Sequence, residues 1–165
     1  MEELLIQIEL ALQYNLYYLA LQSTLTLPDI CSALIDTKGE TSGAKYASWY
    51  DKYVKNNEYH QLSGSDCYKF RCSNLHQGSS IHPKSTYGRI MFLEPNTTPM
   101  TMHNCIINNA LCIDVNLFCK HMISCVRKWL SIVKNDAIFN KNYQNIIKRY
   151  PQGLYPYIAG IPIIS

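Results

Sequence analysis

The 165-residue chain reads as a mainly α protein: a helical bundle of about five to six helices with a small antiparallel β-hairpin or flap inserted at about residues 88–113. Three observations lead there. Apolar residues recur at helical spacing over most of the length. One stretch breaks that period with short β-prone runs separated by turn residues. The composition, 47% hydrophobic against 16% charged, is that of a folding chain of one-domain size, so residues 1–165 are expected to form a single domain.

The elements follow in order. Leu5, Ile8, Leu12, Leu16 and Leu19 predict a helix over about residues 2–22. Thr24 to Pro28 should end it, with Pro28-Asp29 opening a short second helix through Ile35. Thr37 to Ser42 is expected to be loop. Tyr46, Trp49, Tyr50, Tyr53 and Val54 give a third helix one apolar face wide, at about 43–55. Asn56 to Leu62 is polar and expected to be loop. Ser63-Gly64-Ser65-Asp66 then reads as a capping box for a helix that runs to Gln77, where Gly78 can take the left-handed stop position.

The β-prone insertion comes next. Arg89 to Leu93 is one run, and His103 to Ile107 with Ala110 to Ile113 are two more, joined by the tight-turn pair Asn108-Asn109. Asp114 is a good cap for a long helix whose stripe is Val115, Phe118, Cys119, Met122, Val126, Trp129, Leu130 and Val133. A last helix is expected over about 136–150. The apolar tail, 152–165, carries Pro156, Gly160 and Pro162 and cannot be helical; it should pack on this domain or on a second subunit.

Several function classes are excluded or disfavoured. The start of the chain is acidic and no stretch approaches the roughly 20 apolar residues of a membrane helix, so no membrane association and a cytoplasmic location are expected. Seven cysteines without any Cys-x-x-Cys pair fit neither a disulfide framework nor a zinc site; no metal and no cofactor is expected. No Gly-rich phosphate loop, nucleophile elbow or His-Glu-x-x-His is present. Charge is uneven: residues 1–66 hold nine acidic and four basic side chains, residues 67–165 three acidic and eleven basic. The cationic half points to an anionic partner, with RNA the leading candidate, although a solvated lysine face would look the same.

The candidate site lies on the helix from Ser63 to Gln77. On a helical wheel Arg71 sits among Cys67, Tyr68, Asn74 and Leu75, in the middle of a stripe otherwise apolar. A charge there needs an acidic partner such as Asp66 or Asp29, or a pocket that a ligand completes. His76 falls at the helix end, where the partial negative charge of the carbonyls favours imidazolium. The plainer alternative is an exposed histidine that only complements the helix dipole.

The segment Arg71-Cys72-Ser73-Asn74-Leu75-His76, an Arg followed by a His after four residues at a helix end, resembles the hallmark of the HEPN superfamily (higher eukaryotes and prokaryotes nucleotide-binding). Two features depart from that family's pattern: Cys72 stands where RNA-cutting members usually have a polar residue, and the β insertion separates the motif from the long helix. The resemblance implies a helical bundle and a metal-independent endoribonuclease, a toxin or defence factor, acting as a homodimer whose two motif helices share a cleft. It also leaves room for a cognate antitoxin protein. His76 would be the acid or base and Arg71 the phosphate anchor, with Asn74, Ser73 and Gln77 orienting them. Lys69, Tyr68, Arg127, Lys128 and Lys134 would hold RNA, as would further cations such as Lys120 and Lys148, while Tyr87 could stack a base. Two alternatives stand beside this: a HEPN-like module that binds RNA, a nucleotide or a protein without cutting, and a helical interaction protein in which Arg71 is a core ion-pair residue.

Overall fold

The computed structural model describes residues 1–55, 61–97 and 99–165. Among them are six helices: α1 (Glu2–Gln13), α2 (Tyr17–Leu34), α3 (Gly43–Tyr53), α4 (Gly64–Gln77), α5 (Val115–Val133) and α6 (Ala137–Tyr143). Between α4 and α5 lie the strands β1 (Arg89–Leu93), β2 (Cys105–Ile107) and β3 (Ala110–Asp114). The architecture is mainly α with small β elements, as the sequence predicts. The predicted loop over 56–62 and His60 within it fall largely outside the described residues.

The N-terminal helices divide differently from expectation. The break falls at Asn15, whose φ is +57°, and Leu16 N–H closes onto the Ala11 carbonyl. Asparagine tolerates the left-handed region better than other side chains. Pro28, expected to start a helix, instead lies inside α2. An interior proline costs about 3 kcal/mol or more. Leu21, Leu25, Leu27, Cys31 and Leu34 of the same helix are all buried, and each leucine contributes roughly 1.5–3 kcal/mol. Burial wins, and the helix continues.

Ser63 and Asp114 cap the helices they precede, as expected, and Asp136 does the same for α6. Ser63 accepts from Asp66 N–H at 3.0 Å, and its hydroxyl donates to the Asp66 carboxylate at 2.9 Å. Asp114 and Asp136 accept from Leu117 and Phe139 N–H in the same way. Gly64 sits against α3 so closely that a Cβ would lie 2.3 Å from the Ala47 carbonyl oxygen.

The insertion is not a purely antiparallel flap. β2 and β3 form the expected hairpin, with Asn108 and Asn109 both at positive φ, but β1 pairs parallel to β3, giving the order β1-β3-β2. β3 is buried along its whole length, and Ile90, Leu111 and Ile113 join the helical core. Its run Ala-Leu-Cys-Ile does not alternate, as is usual for a strand covered on both faces. Phe70 of α4, Phe92 of β1 and Phe118 of α5 pack in series at 5.2 and 5.1 Å between ring centres.

The last helix is shorter than the predicted 136–150. Residues 149–150 form a strand (β4, Arg149–Tyr150) paired with β7 (Ile163–Ile164), and Lys148 exchanges backbone hydrogen bonds with Ser165. Tyr150 precedes Pro151, which disfavours helical backbone. The tail is non-helical, as expected, and β5 (Gly153–Leu154) pairs with β6 (Ile158–Ala159). Its end pairs with the segment before it, and Tyr155 and Tyr157 remain 88% and 84% exposed. Among the described residues, no helix is long and apolar enough to cross a membrane.

Candidate functional site around Arg71 and His76

α4 positions both residues. Its N-terminus is fixed by Ser63 and by Gly64 N–H donating to Asp51 at 2.8 Å. Its C-terminus closes through Gly78 at φ +61°, with Gly78 N–H on the Asn74 carbonyl and Ser79 N–H on the Ser73 carbonyl. That left-handed stop leaves His76 on the last turn, exposed to solvent.

The guanidinium and the imidazole meet. Arg71 Nη1 lies 3.0 Å from His76 Nε2, at the exposed edge of the helix. A guanidinium can only donate, so Nε2 is the acceptor in this contact. On its other side Arg71 Nη2 approaches Asp29 Oδ2 of α2 at 2.8 Å. The two side chains are 18% and 12% exposed, so this ion pair is largely buried. It is close without being aligned: among the described residues, neither Asp29 Oδ2 nor Arg71 Nε has a hydrogen-bond partner.

Each partner responds differently to the pairing. Burial pushes the Asp29 carboxyl above its ordinary value, and the attraction of Arg71 only partly offsets this. For Arg71 desolvation works downward but is outweighed by Asp29 and by contact with Cys72, so its pKa rises. The Asp29 response is the informative one, because arginine stays charged in either case. Desolvation of the carboxylate exceeds what one cation returns.

The other expected site residues separate into groups. Asn74 accepts from Gln22 of α2 at 3.3 Å and so ties the two helices. Ser73 is fully buried, and its hydroxyl has no partner among the described residues. Gln77 is exposed on the last turn. Tyr68 packs on Tyr46 at 5.3 Å, and its hydroxyl, bonded to Cys72, is raised in pKa first by that bond and then by burial. Lys69 pairs with Asp66 at 3.3 Å. Tyr87 donates to the Gln61 carbonyl at 2.6 Å.

Arg127 is committed elsewhere, to Glu2 and Glu9 of α1 at 2.6–3.0 Å. Lys128 and Lys134 are exposed. Lys128 stands on α5 and Lys134 follows its last residue; the chief packing partners of α5 are α2 and α1, whereas those of α4 are α3 and α2. The other described histidines lie apart from the Arg71 cluster: His82 accepts from Lys84 N–H, His103 from Asp114 N–H, and His121 reaches the Val54 carbonyl at 2.9 Å.

No family model, no curated protein and no solved structure matches this chain.

Asp29 is the site residue that sequence reasoning named only as a plain partner for Arg71. It is the only acidic residue between Glu9 and Asp36, in a stretch rich in leucine. A lone acid on a helix that must bury most of its surface has to find a cation, and that signal was present. A concavity of about 420 Å³ lies elsewhere, between α2 and α3, lined by Asp36, Lys45, Trp49, Lys52 and Tyr53. It shares no residue with the Arg71 cluster, and its Lys45 is tied to Asp36 at 2.6 Å. Among the described residues no group of three or more His, Cys, Asp or Glu is placed to hold a metal.

Proposed function

We propose that the Arg71–His76 edge is a phosphodiester site and that the protein cleaves RNA without a metal, in the manner of the HEPN family it resembles. The observation that carries this reading is the 3.0 Å approach of Arg71 Nη1 to His76 Nε2 at a solvent-facing helix end. At rest the guanidinium occupies the lone pair of His76. An incoming phosphodiester offers Nη1 an anionic acceptor, which hydrogen-bonds roughly twice as strongly as a neutral one. Nη1 then turns to a non-bridging oxygen while Nη2 stays anchored on Asp29. Nε2 is left free to take the proton of the 2′-hydroxyl, whose oxygen attacks phosphorus. The expected products carry a 2′,3′-cyclic phosphate and a 5′-hydroxyl.

Protonating the leaving 5′-oxygen needs a second acid, and one chain presents one His76. A homodimer that faces two α4 ends supplies it by symmetry. In this reading Lys128 and Lys134 hold the RNA backbone outside the cleft, Arg127 serves α1 instead, and a cognate protein that covers the α4 end would be an inhibitor.

A second reading, RNA or nucleotide binding without cleavage, is favoured by one observation. Asp29 already neutralises Arg71, which weakens the electrophilic half of the site. Incubation with single-stranded RNA in excess chelator separates the two. Cleavage with the stated end groups, abolished in His76→Gln, supports the nuclease; salt-sensitive binding with intact RNA supports the second reading; neither binding nor cleavage at low salt refutes both.

A further inference from the structure

We propose that Cys105 and Cys112 form a dithiol that low-molecular-weight disulfides convert into a cross-strand disulfide, a modification site independent of Arg71 and His76. The two cysteines are register partners on the antiparallel strands β2 and β3. Directly opposed residues of an antiparallel pair hold their Cα atoms about 4.5–5.5 Å apart with side chains on one face. A disulfide spans Cα separations of about 4.4–6.8 Å, so the backbone need not move.

The two side chains are also neighbours in fact. Burial raises the pKa of Cys112, and the adjoining Cys105 thiol raises it further through charge and a hydrogen bond. Both are free thiols. Among the described residues no other two cysteines are opposed across strands. The Asn108-Asn109 turn, with both residues at positive φ, fixes the register two pairs away, so the thiols cannot slip out of opposition.

Access sets the order of events. β2 is an edge strand and Cys105 is half-buried, whereas Cys112 on the central strand is 1% exposed. Cys105 loses its proton and its thiolate attacks one sulfur of oxidised glutathione. The S–S bond of glutathione breaks, one glutathione thiolate leaves, and Cys105 carries the other as a mixed disulfide. Cys112 then gives up its proton and attacks the Cys105 sulfur, forming the internal S–S bond and expelling the second glutathione. Two cysteine thiols are oxidised, one glutathione disulfide is reduced to two thiols, and the two released protons balance them. The raised pKa of Cys112 slows the second step. The bond staples the edge strand to β3, whose last residue, Asp114, caps α5.

The test is peptide mapping of the full chain after incubation with oxidised glutathione, with free thiols counted under denaturing conditions. The expected result is loss of two of the seven thiols, a Cys105–Cys112 linked peptide, no retained glutathione at either position, and full reversal by dithiothreitol. Cys112→Ser should stop at a glutathione adduct on Cys105, and Cys105→Ser should leave Cys112 a thiol. A wild-type map in which Cys105 keeps glutathione while Cys112 stays reduced overturns the proposal, as does a link between Cys105 or Cys112 and any other cysteine. Should either serine variant fail to fold, the wild-type map alone decides.

Discussion

Replacing Arg71 with alanine removes the cation from a carboxylate that is only 12% exposed. Taking one partner from a buried ion pair costs about 3–5 kcal/mol. The residual exposure of 18% and 12% lets water screen part of that, so we expect about 2–3 kcal/mol at neutral pH. For a chain of this size that is a fall in Tm of roughly 5–10 °C. The pH dependence carries more information. Asp29 already titrates above its unfolded value, so the folded state binds its proton first, and this group favours folding more as pH falls through its folded pKa. Without Arg71 that pKa rises further, and the variant escapes its penalty by protonating Asp29. The deficit should therefore be largest near neutrality, shrink toward pH 4, and be much smaller when Arg71→Ala is made in Asp29→Asn. Urea unfolding of wild type, the two single variants and the double variant between pH 4 and 7.5 measures it. A deficit constant across that range, or equal in the Asp29→Asn background, would falsify the assigned pairing.

Other perturbations test the rest of the framework. Asp66 is buried, and although desolvation works upward, hydrogen bonds from Thr86, Ser63 and Lys69 bring its pKa below the ordinary value. Asp66→Asn should cost about 2–3 kcal/mol at pH 7. The stability Asp66 supplies is present above its unfolded pKa of about 4 and fades as pH drops through the lower folded value, so the cost should vanish in strong acid. Gly64→Ala puts a methyl 2.3 Å from the Ala47 carbonyl and should cost about 3 kcal/mol in chemical denaturation, because α3 and α4 must separate. Arg127→Gln, despite four close contacts to Glu2 and Glu9, should cost no more than about 1 kcal/mol, since the cluster is 38–53% exposed and screened. A larger loss there would show that α1 depends on charge rather than on Leu5, Ile8 and Leu12.

The parts of the fold legible in the sequence are those decided within a few residues. Ser63 and Asp114 cap the helices they precede, and Gly78 ends the one it follows, because caps are local hydrogen-bond arrangements. The Asn108-Asn109 turn is equally local. What escaped was decided at a distance. Whether α2 runs through Pro28 depends on the burial of Leu25 and Cys31 against other helices, which outweighs the proline. The parallel pairing of β1 with β3 joins residues separated by the chain from Glu94 to Asn109. The fate of residues 149–150 depends on a strand at the far end of the tail. The site divides the same way. Arg71 and His76 were readable as a pair on one helix, and the Asp29 contact was readable only as one of two options, because it depends on how α2 packs on α4.

Whether Arg71 and His76 act as a unit on a phosphodiester is tested most directly by initial rates of RNA cleavage in excess chelator at neutral pH. Wild type, Arg71→Ala, His76→Ala and the double variant are compared. Proton transfer by a placed histidine accelerates such steps by about 10²–10⁴. Each single variant should lose at least that much, and the double variant should lose little more than either one. RNA left intact by the wild type, or cut as fast by His76→Ala, contradicts the account.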